Sequence, residues 1–134
     1  MKPGSVILLV FKLSILSVLQ SCEKDDLTAI TSFSTTEVSD ITTTTARSGG
    51  KVNANKVLDI TAFGVCFNTT GSPTTSDRIA AGEVIALFEE RVSFSKEFRS
   101  NLFLLTPGST YYIRAFITTP SGTVYGDELT FRTR

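Results

Sequence analysis

Apolar and polar residues alternate along much of the chain after residue 35, with the period of two that is typical of β-strands. The clearest example is residues 91–99, where Val92, Phe94 and Phe98 fall on one face and polar residues fall on the other. In residues 43–53, the Gly49–Gly50 pair predicts a bulge or a sharp twist within a strand. The predicted strands are residues 36–41, 43–53, 62–68, 79–88, 91–99, 110–119 and 123–132. Seven short strands separated by turns predict an all-β fold, a single β-sandwich.

The pattern of residues 79–88 leaves two structures open. The apolar residues of this stretch do not alternate cleanly, so it fits either a strand or a short helical turn. Its end, residues 84–88, could be an exposed apolar edge for a partner chain or part of the core. We favour the core, because apolar clusters are usually buried.

The N-terminus carries an apolar segment with the features of an export signal. Lys2 precedes residues 6–19, which are apolar except for Lys12 and two serines, and the small residue Ser21 precedes Cys22. The segment is short for a bilayer span. As an uncleaved membrane helix it would place Lys12 in mid-span, at a cost of about 2.5–3.5 kcal/mol. We therefore expect residues 1–21 to be removed.

Leu19, Gln20, Ser21 and Cys22 resemble the lipobox of bacterial lipoproteins, although Gln20 is larger than the residue usual at that position. The resemblance implies cleavage before Cys22 and attachment of a diacylglycerol to its sulfur, usually with an acyl chain on the new amino group. Several acyl chains hold a protein at a membrane stably. An ordinary secretory signal that ends near a cysteine remains the alternative.

The charged cluster directly after the cysteine, Glu23 to Asp26, resembles the surface-export signal of Bacteroidota-type lipoproteins. It implies an outer-membrane lipoprotein displayed outside the cell. A short charged run is also common in solvated linkers, so a periplasm-facing domain remains open. We interpret residues 22–34, rich in Thr, Ser and Asp, as a flexible tether, and residues 35–134 as the folded domain.

Residues 105–111 have the spacing of a tyrosine corner, formed by Leu105, Pro107 and Tyr111. With residues 48–51, 63–67 and 122–129, they resemble a fibronectin type III-like module, within the immunoglobulin-like sandwiches, that is common in Bacteroidota-type surface proteins. The resemblance covers residues 35–134. The chain has no Trp, and Phe67 stands where that module often carries one. The family implies a binding, adhesion or spacer module and does not imply an enzyme.

The composition argues against several kinds of chemistry. The chain has no His, which excludes a Ser/His/Asp triad and ordinary His-bearing zinc sites. If Cys22 carries lipid, Cys66 has no disulfide partner, and its apolar surroundings predict a buried thiol. The carboxylate pairs 89–90 and 127–128 do not converge, since neighbouring strand residues face opposite ways. We therefore expect neither catalysis nor a cofactor.

Removing residues 1–21 removes two of the 13 basic residues and none of the 13 acidic ones, which leaves a formal charge of −2. This charge does not favour nucleic acid as a partner.

The predicted binding surface lies on the outward face of residues 110–119 and on the turn that follows. If Tyr111 and Ile113 face the core, alternation places their neighbours outside. The candidate contact residues are Tyr112, Arg114, Phe116, Pro120, Ser121 and Gly122. The alternative is that the outward aromatics pack only across neighbouring strands. The expected function is a membrane-anchored adhesion module that binds a glycan or a protein; the alternative is a structural accessory subunit of an envelope complex.

Overall fold

The computed structural model describes residues 26–89 and 93–134, and within them it confirms an all-β fold. A short 3-10 helix at Asp26–Ala29 precedes the strands. No helix among the described residues has the length and apolar character of a membrane span. The strands are β1 (Ile30–Ser39), β2 (Ala46–Ala54), β3 (Ala62–Asn68), β4 (Arg78–Glu89), β5 (Phe94–Leu102), β6 (Thr110–Thr119), β7 (Gly122–Tyr125) and β8 (Leu129–Arg132). The predicted signal peptide, Cys22, Glu90 and Val92 lie outside the described residues.

All strand pairs are antiparallel, in the order β1-β2-β5-β4-β3-β6-β7, and β8 also pairs with β6. Strand β4 joins the two halves of this order, because its first residues pair with β3 and its later residues pair with β5. Gly82 lies at this change of partner. A Cβ there would come within 2.6 Å of the Phe63 ring, so only glycine fits without a shift. The arrangement is compatible with a sandwich or a partly open barrel.

The core lies between the two halves and is formed by the alternate residues of β2, β3, β5 and β6. Its largest fully buried side chains include Phe98, Leu102, Ile113 and Ile117. The Phe63 and Phe98 rings meet edge to face, with centroids 5.1 Å apart. The inward and outward faces of residues 110–119 thus follow the predicted alternation.

The chain enters the fold earlier than the sequence indicates. The 3-10 helix and the start of β1 occupy part of the predicted tether, residues 22–34, so that prediction is wrong from residue 26 onward. Ala29 is buried, its carbonyl accepts a hydrogen bond from Asn55 N, and Phe33 packs against the core. Main-chain pairing with β2 and these apolar side chains together hold this Thr- and Ser-rich segment on the sheet.

The structure resolves the ambiguity of residues 79–88 as a strand but corrects their predicted burial. Four apolar side chains expected in the core are exposed: Val84 45%, Ile85 48%, Leu87 49% and Phe88 66%. The reason is topological. Strand β3 pairs with β4 only at residues 78–81, so no strand among the described residues lies beside the later part of β4 on that side.

Three other predicted features differ from the structure. The strand predicted at residues 91–99 is observed at Phe94–Leu102, and the one predicted at 123–132 is divided into β7 and β8. Between those two strands, Gly126 N donates to Ala115 O, and Asp127 accepts a hydrogen bond from Thr35 N. The sequence predicts a bulge or a sharp twist at the two glycines of β2, and the pairing of β2 with β5 has no bulge, because its register is continuous. The register shift beside Gly49 lies in the pairing with β1, between Thr36 and Ser39.

Candidate functional site

The two ends of the domain differ in what they present to solvent. The first strand begins at Ile30, in a row of paired residues that continues across the sheet through Ala54 and Phe94 to Glu89. We call this end of the domain the proximal end. At the other end of β2, Ala46 pairs with Leu102. We call this the distal end. It also holds the loop before β6, because Leu105 N donates to Thr44 O.

The predicted contact stripe is mostly covered by the protein itself. Tyr112 and Arg114 are partly exposed on the outer face of β6. The Arg114 guanidinium donates to Pro73 O from Nε at 2.9 Å and from Nη2 at 2.6 Å, and it lies over the Tyr125 ring. Phe116 is buried, at 3% exposure, so the prediction that it is exposed is wrong. The loop of residues 69–77 lies over this face and uses Arg114 as its anchor.

The predicted turn residues lie far from Tyr112. Pro120, Ser121 and Gly122 form the tight β6–β7 turn, and Gly122 has a positive φ of 140°. The turn is at the proximal end, close to Leu27. Pro120 follows Tyr112 by eight positions along an extended chain, about 26 Å at 3.3 Å per residue. The six predicted contact residues therefore do not form one surface.

The tyrosine corner makes the contact that its spacing predicts. The Tyr111 hydroxyl accepts a hydrogen bond from Thr106 N at 2.8 Å, and Leu105 is buried beside it. Pro107 is exposed in the turn. The Tyr111 ring stacks on Phe131, with centroids 5.7 Å apart. This corner holds the chain rigidly just after two exposed residues of the distal loop.

Those two residues, Phe103 and Leu104, are exposed to 60% and 83% respectively, and Phe103 lines two hollows. A hollow of about 460 Å³ includes Arg78, Glu83 and both loop residues in its lining. A second, of about 260 Å³, includes Asp40, Arg47 and Phe103 in its lining. The distal surface comprises Asp40, Arg47, Arg78, Asn101, Phe103 and Leu104. It combines exposed apolar side chains with both charges.

Arg78 fixes the backbone of this loop. Its Nη2 donates to Phe103 O at 2.8 Å and its Nη1 donates to Leu104 O at 3.3 Å. The same guanidinium lies 4.7 Å from the centroid of the Phe67 ring. Because the two carbonyl groups are held by one planar cation, the apolar side chains are presented in a defined arrangement.

Leu104 has a left-handed backbone, with φ 58°. This conformation costs a residue with a Cβ about 1–2 kcal/mol. Its side chain gains little burial in return. A strained, exposed Leu is not explained by folding stability, and such positions are concentrated at binding sites.

The polar residues of the distal surface form a short chain across β2 and β5. Arg47 Nη1 lies 3.1 Å from Asp40 Oδ2, and Arg47 Nε donates to Asn101 Oδ1 at 3.0 Å. An ion pair this exposed contributes about 0–1 kcal/mol, so a ligand can replace it at little cost. The described residues contain no group of three metal-binding side chains. The arrangement is suited to non-covalent recognition.

Cys66 is buried, as predicted, beneath the loop of residues 69–77. Its thiol lies 3.5 Å from Arg114 O. Burial raises its pKa to about 11, despite the nearby Arg114 charge. The sulfur therefore remains a protonated thiol at neutral pH and is a poor nucleophile.

Sequence reasoning missed the distal surface, although the sequence carries a signal for it. Residues 102–105 are four consecutive apolar residues. Neighbouring strand residues point to opposite faces, so such a run cannot place all of its side chains on one face of the sheet. Here Leu102 and Leu105 are buried, and the two between them are exposed.

No protein-family model matches the chain, and a search of curated proteins finds no similar sequence.

Proposed function

We propose that this protein is an outer-membrane lipoprotein, anchored through Cys22, whose fibronectin type III-like β-sandwich binds a glycan or a protein at its distal surface without catalysis. The observation that carries the proposal is the exposure of Phe103 and Leu104 at the end opposite to the point where the chain enters. Aromatic residues and arginine are enriched where proteins bind their partners.

The fibronectin type III-like assignment is supported by two features. The corner hydrogen bond between Tyr111 and Thr106 joins the sixth strand to the loop that precedes it. The antiparallel strands surround one core, with β4 joining the two halves. Both features suit a domain that displays loops at its two ends.

A lipid on Cys22 would orient the domain. Cys22 precedes Asp26 by four residues, which span at most about 14 Å. The proximal end would therefore be held close to the membrane. Strand β2, Ala46–Ala54, crosses the domain over about 26 Å, so the distal surface would face away from the bilayer. In that position it can bind a partner outside the cell or dock on another protein of the envelope.

The binding role is tested with a double variant of the distal loop, Phe103→Ser with Leu104→Gly. We expect the variant to lose at least about 10-fold in affinity for the ligand, since two central contacts are removed. Its stability should not fall, because glycine adopts the backbone of residue 104 without strain. The measurements are a glycan array, capture of partners from an envelope extract, and thermal unfolding of both proteins.

Val57→Ser provides the matched control, because Val57 is a similarly exposed apolar residue, at 54%, outside the distal surface. It should bind as the native protein does. Saturable glycan binding that the double variant abolishes supports the adhesion role. A blank array with a co-purifying envelope protein supports the accessory-subunit alternative. Native binding by the double variant would contradict the assignment of the distal surface.

The anchor and its orientation are tested by protease shaving of intact cells that express the chain, with Cys22→Ser as the control. We expect release of the domain from intact cells and loss of membrane retention in the variant, because the acyl chains would hold the protein. Protection until the outer membrane is opened would indicate a periplasm-facing domain. Retention of the Cys22→Ser protein in the membrane would contradict lipid anchoring.

A further inference from the structure

The later part of β4 has a backbone edge without a partner strand among the described residues. Gly82 and the residues up to Glu89 pair with β5 on one side, whereas β3 pairs on the other side only with residues 78–81. We call residues 83–89 the β4 edge. Unpaired N–H and C=O groups on such an edge are ready to pair with another strand.

The side chains of the β4 edge are unusually apolar for this position. Four of them are 45–66% exposed: Val84, Ile85, Leu87 and Phe88. The strand at the other end of the pairing order, β1, is hydrogen-bonded to the opposite half of the fold. Thr35 in β1 donates from N and Oγ1 to Asp127 and accepts a hydrogen bond from Ala115 N. Natural proteins usually protect an apolar strand edge, so a partner is the expected cover.

We propose that the β4 edge receives an added β-strand from a partner protein, an extended apolar segment with Lys or Arg at both ends. The partner chain would extend the sheet beyond β4 through main-chain hydrogen bonds. The β4 edge adjoins the distal surface at Glu83, which also lines the larger hollow, and extends from there toward the proximal end. The proposal requires neither the lipid anchor nor the ligand proposed above.

Charge at the ends of the β4 edge selects the partner. Glu83 and Glu89 stand at its two ends and are exposed. In an antiparallel pair along the whole edge, a second copy would bring its Glu89 to the end that holds Glu83, and its Glu83 to the end that holds Glu89. The two glutamates lie on opposite faces, because Glu83 opposes Arg99 and Glu89 opposes Phe94 on β5. Like charges would thus be gathered at both ends, whereas a basic residue on each face there forms opposite-charge pairs, which stabilise a strand pair.

The middle of the partner segment should be apolar on both of its faces. Paired residues share a face of the sheet. Val84 and Leu87 therefore share the face of the residues they oppose on β5, Phe98 and Lys96, while Phe88 lies on the other face. Ile85 lies at the bulge between them. A strand added here would meet apolar side chains above and below the sheet.

The test uses two labelled nine-residue peptides with the same central valine and threonine residues. One peptide carries two lysines at each end, so that a charge falls on each face, and the other carries two glutamates. Binding to the purified full chain in mild detergent is followed by fluorescence anisotropy. We expect the lysine peptide to bind at least about 10-fold tighter.

Three variants locate the site. The double variant Glu83→Lys with Glu89→Lys should reverse the preference between the peptides, a result that an unfolded protein cannot give. Ile85→Lys should abolish binding of the lysine peptide. Val57→Lys, a change at a similarly exposed position off the edge, should leave it unaltered.

Several results would overturn the proposal. These are binding of neither peptide, equal binding of both, or a preference that the charge reversal does not change. Self-association through the β4 edge, detected by sedimentation and removed by Ile85→Lys, would show that the partner is a second copy and would also overturn it.

Discussion

Gly49→Ala is expected to destabilise the domain by about 3 kcal/mol or more. Gly49 lies in β2, between β1 and β5, and a Cβ there would overlap the carbonyl oxygen of Phe98 and lie 2.9 Å from the Arg99 Cα. Both obstacles are backbone atoms of the paired strand, so no side chain can turn aside. Relief requires β2 to separate from β5 in the centre of the sheet, which places the change among the severe overpacking substitutions.

Gly108→Ala is the matched control, because it adds the same methyl group where there is space. Its φ of 62° is unfavourable for alanine, but a Cβ would approach nothing closer than 3.7 Å. We expect a loss of about 1–2 kcal/mol. Urea unfolding of the chain without residues 1–21, followed by circular dichroism, measures both. Equal losses for the two variants would show that the close approach of β2 and β5 is not limiting.

Phe98→Ala is expected to cost about 3–5 kcal/mol in the free energy of unfolding. Phe98 is 1% exposed, and its ring meets the Phe63 ring edge to face. Its ring also lies where a Cβ at Gly50 or Gly82 would be, so it fills the space that these glycines leave. Removal of the ring leaves a cavity that the surrounding strands cannot close.

Phe88→Ala is the matched control, because it removes the same ring from the next strand of the sheet at 66% exposure. We expect a change of no more than about 0.5 kcal/mol. The free energy of unfolding should therefore fall far more for Phe98→Ala than for Phe88→Ala. This comparison tests the observed exposure of the β4 edge directly. A loss above about 2 kcal/mol for Phe88→Ala would indicate that this residue is buried in solution.

The predicted contact stripe on β6 shows what the alternation of strand residues can and cannot predict. Alternation correctly placed Tyr112 and Arg114 on the outer face of the strand. It carried no information on the loop of residues 69–77, which folds back and binds Arg114 through the Pro73 carbonyl. Phe116 is buried on the same face. Whether an outward residue is exposed depends on chain segments distant in sequence.

The exposure of the distal surface also depends on contacts between residues distant in sequence. The apolar run of residues 102–105 is visible in the sequence, but the exposure of Phe103 and Leu104 depends on the Arg78 hydrogen bonds and on the left-handed backbone at residue 104. Arg78 is 25 residues away along the chain. No local pattern indicates that contact.

The sequence by itself determined the features that depend on short spacing: the all-β fold, the two faces of β6, the corner formed by Tyr111, and the burial of Cys66. Each follows from which neighbouring side chains a strand or turn brings to one side. Only the tertiary structure decided the partners of β4, the cover over Arg114 and the exposure of the distal loop. Those features depend on which distant strands meet, and the period of a strand specifies its faces without specifying its neighbours.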